Sequence, residues 1–340
     1  MPSFRQYNDG MIPRYLEKRL IERLKGSHEA LILYGPRQVG KTTLVNQVLN
    51  VLPGRTLRLN ADTAQVPEAL SSRDMAKLRG LVQGYDVLFI DEAQRVPEIG
   101  LNIKLLVDHF PELRVVATGS SSLDLASKTR ESLAGRAWNY TLYPIAALEL
   151  SAQMTPFEMR NDLEARLIFG SYPRVVLMIG DDDERREYLD NLAAASLYKD
   201  ILEMSGIRNS DKLRRLLRLL AFQIGQEVSL NELGMQLEMS KNTVASYIDL
   251  LEQSFVVFSL KWIQPQSTQG DQQTGQDLFL GLGCAQYPYQ QFQFNRSAQR
   301  YWRIVGELCS GGTPQMVTLY PGDWHTVLLA HKKRLRDRLH

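Results

Sequence analysis

Residues Leu31 to Thr43 join an apolar strand pattern to a G-x-x-x-x-G-K-T loop, and a helical pattern (Leu44, Val45, Val48, Leu49) follows. Glycines 35 and 40 let the backbone turn its N–H groups inward, making a nest for phosphate oxygens at a helix N-terminus. The candidate nucleotide-binding residues are Gly35, Pro36, Arg37, Gln38, Val39, Gly40, Lys41, Thr42 and Thr43. Lys41 can reach the β- and γ-phosphates, and the Thr42 hydroxyl can ligate Mg²⁺.

Hydrolysis also needs an acidic group, which a neighbouring strand could supply. Tyr85 to Glu92 reads as four buried-type residues ending in two carboxylates, Asp91 and Glu92. A continuous apolar run fits a strand buried on both faces of a parallel sheet. Ligands sit at the C-terminal ends of such strands. Asp91 is expected to hold Mg²⁺, directly or through water, and Glu92 to polarise the attacking water. A third strand pattern, Leu113 to Thr118, ends in Gly119 and three serines. There Thr118 or Ser120 would stand beside the γ-phosphate; the alternative is a strand-to-helix turn with serine capping. Arg136, after Gly135, could meet transition-state charge in cis or across a subunit boundary, or could serve as a surface ion-pair partner.

With these residues in place, the chain resembles a prokaryotic AAA-type ATPase family whose members carry a C-terminal domain of unknown function. GPRQVGKTTL, LFIDEAQRV, ATGSSS, LAGRAW, LYPIAALEL and GSYPRVVL carry the resemblance, in order, over residues of about 14 to 260. It implies an α/β class: a P-loop, AAA-like parallel sheet core, then a helical winged-helix domain and a further terminal domain. ATP rather than GTP is implied by the resemblance alone. The expected division is 1–160 for the ATPase core, 161–208 for a helical linker, 209–261 for a winged helix, and 262–340 for a tail without a native fold.

The whole chain bears 40 basic against 38 acidic residues, so no bulk cationic field argues for nucleic acid. No apolar run approaches a membrane span and no signal pattern opens the chain, so the expected location is cytoplasmic. Met11 to Leu20 reads as a short amphipathic helix leading into the core.

From Asp181 to Leu220 the pattern is helical, and the acidic run at its start suits a helix N-terminus. Ser229 and Ser240 are natural N-caps of a helix-turn-helix. As a DNA reader it would present Lys241, Asn242, Thr243 and Ser246 to the major groove; otherwise it serves packing or oligomer contacts.

After Lys261 the composition changes. Residues 264–303 contain eleven Gln and no Val, Ile, Lys or Glu, and no strand or helix is expected on that diet. Back-translation from Trp262 in the next reading frame, with synonymous codons free, yields family-like strings such as YFWDLG and ALWENFV. A frameshift near residues 260–262 is therefore expected. Both cysteines (Cys284, Cys309) and three of five histidines (His325, His331, His340) fall in this tail, which voids metal or disulfide readings of them.

The first functional expectation is a Mg-dependent ATPase, as a monomer or homo-oligomer. The others are a nucleotide-switched DNA-binding regulator with little turnover, and the remnant of an ATP-controlled nuclease whose acids this chain lacks as translated.

Overall fold

The computed structural model describes residues 12–120, 133–178, 180–195, 210–223, 227–261 and 278–282. The elements that build the core are α1 (Leu16–Gly26), β1 (Ala30–Tyr34), α2 (Lys41–Asn50), β2 (Thr56–Asn60), α3 (Gln65–Leu70) and α4 (Met75–Val82). They continue with β3 (Val87–Asp91), α5 (Ile99–His109), β4 (Arg114–Gly119) and β5 (Ala137–Thr141). These five strands form one parallel sheet in the order β2-β3-β4-β1-β5.

Strands β1, β3 and β4 are apolar along nearly their whole length because both faces are covered. Leu31, Leu33, Phe89 and Val116 point to one face, where Leu20, Leu24, Leu44 and Val48 of α1 and α2 meet them. Ile32, Leu88, Ile90 and Ala117 point to the other, against Leu78, Ile99, Ile103 and Leu106. The period-2 alternation of each strand thus splits one apolar run between two cores.

Four helices follow: α6 (Ala147–Ser151), α7 (Pro156–Phe169), α8 (Pro173–Leu177) and α9 (Asp182–Ala195). The boundary expected at residue 160 falls inside α7. Its true start is a capping box, in which Thr155 and Glu158 satisfy each other's backbone N–H groups with Pro156 in the first turn. Phe169 and Tyr172 join the α1/α2 side of the core, together with Tyr188, Leu189 and Leu192 of α9.

A separate apolar cluster belongs to α10 (Ser210–Phe222), β6 (Glu227–Val228), α11 (Leu230–Leu237), α12 (Lys241–Gln253) and β7 (Val257–Lys261). Ser229 and Ser240 cap α11 and α12, accepting from the backbone N–H groups of Glu232 and Thr243. Gly234 allows the tight turn between them, since a Cβ there would lie 2.7 Å from the Met239 carbonyl oxygen.

One strand departs from expectation. β8 (Leu278–Leu282) lies within the glutamine-rich stretch and pairs antiparallel with both β6 and β7. Five apolar residues suffice for a short strand when two others offer free edges, whatever the surrounding composition. Both cysteines, His325, His331 and His340 lie outside the described residues.

Candidate functional site

The loop between β1 and α2 is built by close approach. Gly35 sits where a Cβ would come within 2.3 Å of the Leu142 carbonyl oxygen, so a larger residue would push the loop off the end of β5. Gln38 and Gly40 take positive φ values of 57° and 96°, which turn successive peptides across the mouth of α2. Lys41 opens that helix and is only 6% exposed. Its ammonium donates to the carbonyl oxygens of Gly35 at 3.0 Å and Pro36 at 2.9 Å, so it lies over the loop. Pro36 and Val39 are buried, Arg37 and Gly40 are partly exposed, and Gln38, Thr42 and Thr43 face solvent.

The acidic strand is not the neighbour of β1, as the sequence reading had it: β4 lies between β1 and β3. Two hydroxyls span the intervening strand. Thr42 Oγ1 donates to Asp91 Oδ2 at 2.9 Å, and Thr118 Oγ1, wholly buried on β4, donates to Asp91 Oδ1. Thr42, which follows the loop lysine, and the strand-end carboxylate therefore meet. Thr118 is committed to Asp91, which leaves Ser120 as the hydroxyl beyond the strand end.

Thr42 and Asp91 offer hard oxygen donors that fit Mg²⁺, which keeps several waters and takes one or two protein ligands beside phosphate oxygens. Among the described residues no cluster of three or more His, Cys, Asp or Glu side chains could hold a metal by itself.

Glu92 follows Asp91 with φ 54° and begins a 3₁₀ turn over Ala93–Arg95. The turn brings Gln94 back, so that its amide nitrogen donates both to Glu92 Oε2 and to Ser120 Oγ, the latter at 3.0 Å. Arg136 lies elsewhere. It precedes β5, whose first residue is in register with Ala30 at the start of β1, whereas the phosphate loop leaves the other end of β1. Its Nε is 2.6 Å from Asp108 Oδ1 at the end of α5. This is the ion-pair alternative named for Arg136, and parallel strands put its position a full strand length from the loop.

Two features escaped the sequence reading. Gln94 stands in the LFIDEAQRV string, but its partner Ser120 lies just past the end of β4. Arg14, 9% exposed, donates through Nη1 to the Val39 carbonyl at 2.9 Å, through Nη2 to the Tyr143 carbonyl, and through Nε to Glu149 Oε1 at 3.2 Å. Glu149 also accepts from the backbone N–H groups of Tyr15 at 2.7 Å and Ala146 at 2.9 Å. This buried pair ties the phosphate loop to the start of α1 and to α6. No spacing signal could have joined residues 14 and 149.

Comparison with known proteins agrees with the fold. Residues 27–151 match the family model described as an AAA domain, and residues 160–276 match a domain of unknown function (DUF8612). The Walker-type ATPase of Pyrococcus abyssi shares the architecture, with a TM-score of 0.54 at 18% identity over 76% of this chain and 93% of that one. The core is a P-loop fold. An uncharacterized protein of Methanocaldococcus jannaschii is 28% identical over 277 residues, covering 68% of this chain and 56% of that protein. An uncharacterized protein of Mycobacterium tuberculosis is 30% identical over 233 residues, covering 68% and 49%. The chain thus spans about half the length of these curated relatives.

Proposed function

We propose that the chain binds Mg-ATP in the β1–α2 loop and hydrolyses it. The observation that carries this reading is the 2.9 Å hydrogen bond from Thr42 to Asp91, because it joins the two protein groups that a phosphate-bound Mg²⁺ uses. In this reading Gly35 to Thr43 wrap the phosphates and Lys41 leaves its two carbonyl partners for the β- and γ-oxygens. Thr42 and Asp91 hold the cation, which supplies charge neutralisation at the transferring phosphoryl group. Glu92 orients and deprotonates water, and Ser120 donates to the terminal phosphate. Arg136 serves a neighbouring copy, since its own loop is out of reach; turnover per chain should then rise with chain concentration and be lost in Arg136→Ala.

The decisive experiment pairs two variants. Lys41→Ala should weaken ATP binding, whereas Glu92→Gln should keep binding and lower kcat by roughly a thousandfold. Wild-type turnover in both would refute the proposal.

A second reading, a DNA-binding regulator, is favoured by one observation: Lys241, Asn242, Thr243 and Ser246 are all exposed on the first turns of α12. Charge does not favour it. Over 210–261 six basic residues (Lys212, Arg214, Arg215, Arg218, Lys241 and Lys261) are balanced by six acidic ones (Asp211, Glu227, Glu232, Glu238, Asp249 and Glu252). Lys212 and Arg215 of α10 are engaged with the carbonyls of Glu238 and Gln236 at the end of α11. Phosphate contacts dominate DNA affinity, so the first reading stands ahead. The three helices with β6, β7 and β8 are read as a winged helix used for protein contacts, and the location as cytoplasmic.

The shifted-frame reading of 262–340 rests on its back-translation. The match to 276 and the pairing of β8 both cross the break it places at 260–262. Intact mass of the natural product decides it; the mass of the sequence as written would dismiss it.

A further inference from the structure

The Glu92–Gln94–Ser120 contact joins the group that would read the terminal phosphate to the one that would deprotonate its attacking water. Gln94 rides on a turn held by backbone bonds from Arg95 N–H to Glu92 O and from Val96 N–H to Ala93 O, both 3.0 Å. Ala93 and Val96 anchor that turn in the core, at 0% and 2% exposure. The side chain is therefore presented from a fixed platform.

Its orientation is also fixed by chemistry. Glu92 is a carboxylate and can only accept, so the nitrogen of the amide must face it. The second N–H of the same nitrogen then reaches Ser120 Oγ. The amide oxygen is left buried and accepts nothing among the described residues. An amide kept for packing alone would be expected to satisfy both ends, since buried polar groups are nearly always paired. Here the nitrogen's bridge takes precedence over the oxygen's partner.

The bridge leaves useful valences at both ends. Ser120 accepts from Gln94 through a lone pair, so its own proton remains to donate to a phosphate oxygen. Glu92 is held through Oε2, and Oε1 remains to accept from water. Two acceptors on one NH₂ group stand roughly 5 Å apart. That span places a γ-phosphate reader and a general base on the two sides of one reacting centre.

We propose that Gln94 is a positioning residue that couples recognition of the terminal phosphate at Ser120 to the aim of Glu92, so that the site acts on triphosphate and not on diphosphate. This rests on the nucleotide reading above and deepens it. Gln94 touches neither substrate nor metal; it sets the geometry of two groups that do.

The test uses the full chain with ATP and ADP. Gln94→Met keeps the volume and removes both donors. Gln94→Asn keeps the amide but is a methylene too short to span both partners, and it serves if the methionine variant misfolds. Both should lower kcat at least tenfold, a larger factor than the severalfold rise expected in KM for ATP. Ser120→Ala should cost a similar factor, and Gln94→Met with Ser120→Ala should be no worse than the poorer single variant, because the pair works as one unit. A wild-type kcat in Gln94→Met, a loss carried by KM alone, or losses that multiply would overturn the inference.

The affinity ratio of ATP over ADP gives a readout independent of turnover. It should fall severalfold in Gln94→Met with ADP affinity unchanged. A wild-type chain that binds ATP without hydrolysing it would sink the hydrolysis reading while this ratio still decides the coupling, and an unchanged ratio would overturn it. A chain that binds no ATP would sink the nucleotide reading and the coupling together.

Discussion

The phosphate loop and the helix-turn-helix unit are both compact, but their polar groups are disposed in opposite ways. Around the loop, Thr42, Asp91 and Thr118, with Gln94 and Ser120 beside them, are turned toward one another from two strand ends, a 3₁₀ turn and a helix N-terminus, while Lys41 lies over the loop carbonyls. In α10–α12 the polar groups serve the unit's own helix ends, as Ser229, Ser240, Lys212 and Arg215 do, while Lys241 and Asn242 face solvent. Convergence of partnered polar groups on one point marks chemistry. A capped helix with an exposed face marks at most a surface.

That contrast can be broken by experiment. Glu149→Ala removes the acidic partner that Arg14 has among the described residues and leaves a buried cation beside the Val39 carbonyl. Losing one member of a buried pair costs about 3–5 kcal/mol. The first thermal transition should fall by roughly ten degrees, and ATP affinity should drop about tenfold because the loop loses its anchor. An unchanged melting curve with normal ATP affinity would mean that the wiring around the loop is incidental.

A smaller effect should follow on the other side of the comparison. Gly234→Val forces a side chain against the Met239 carbonyl, so the helix-turn-helix unit should lose roughly 2 kcal/mol or more. ATP affinity should stay within about twofold, since no loop residue is touched. A parallel loss of ATP binding would show that the two regions fold as one and would blur the distinction. The smallest effect is expected of Lys241→Ala with Asn242→Ala: DNA retention at 50 mM salt should change less than about twofold. A salt-dependent loss of tenfold would promote the DNA reading above the first.

How legible each region was follows the same line. The loop could be read because Gly35, Gly40, Lys41 and Thr42 must occur at one spacing to turn N–H groups, ammonium and hydroxyl toward one ligand. The apolar runs of β1, β3 and β4 were legible as double-faced burial. Strand order was not, because nothing local to Asp91 records that β4 intervenes. The place of Arg136 was not legible for a related reason: spacing along the chain does not say at which end of a strand a residue emerges. Gln94 and Arg14 were missed because their partners lie 26 and 135 residues away. β8 was hidden by glutamines on either side of a five-residue apolar run.

The most direct measurement is ATP affinity with and without Mg²⁺ in the wild-type chain and in Asp91→Asn. The account predicts that Mg²⁺ tightens ATP binding to the wild type, and that Asp91→Asn keeps the Mg-free affinity while losing at least tenfold of that gain. A variant with the full wild-type response to Mg²⁺ would contradict it, because the cation would then be held somewhere other than between Thr42 and Asp91.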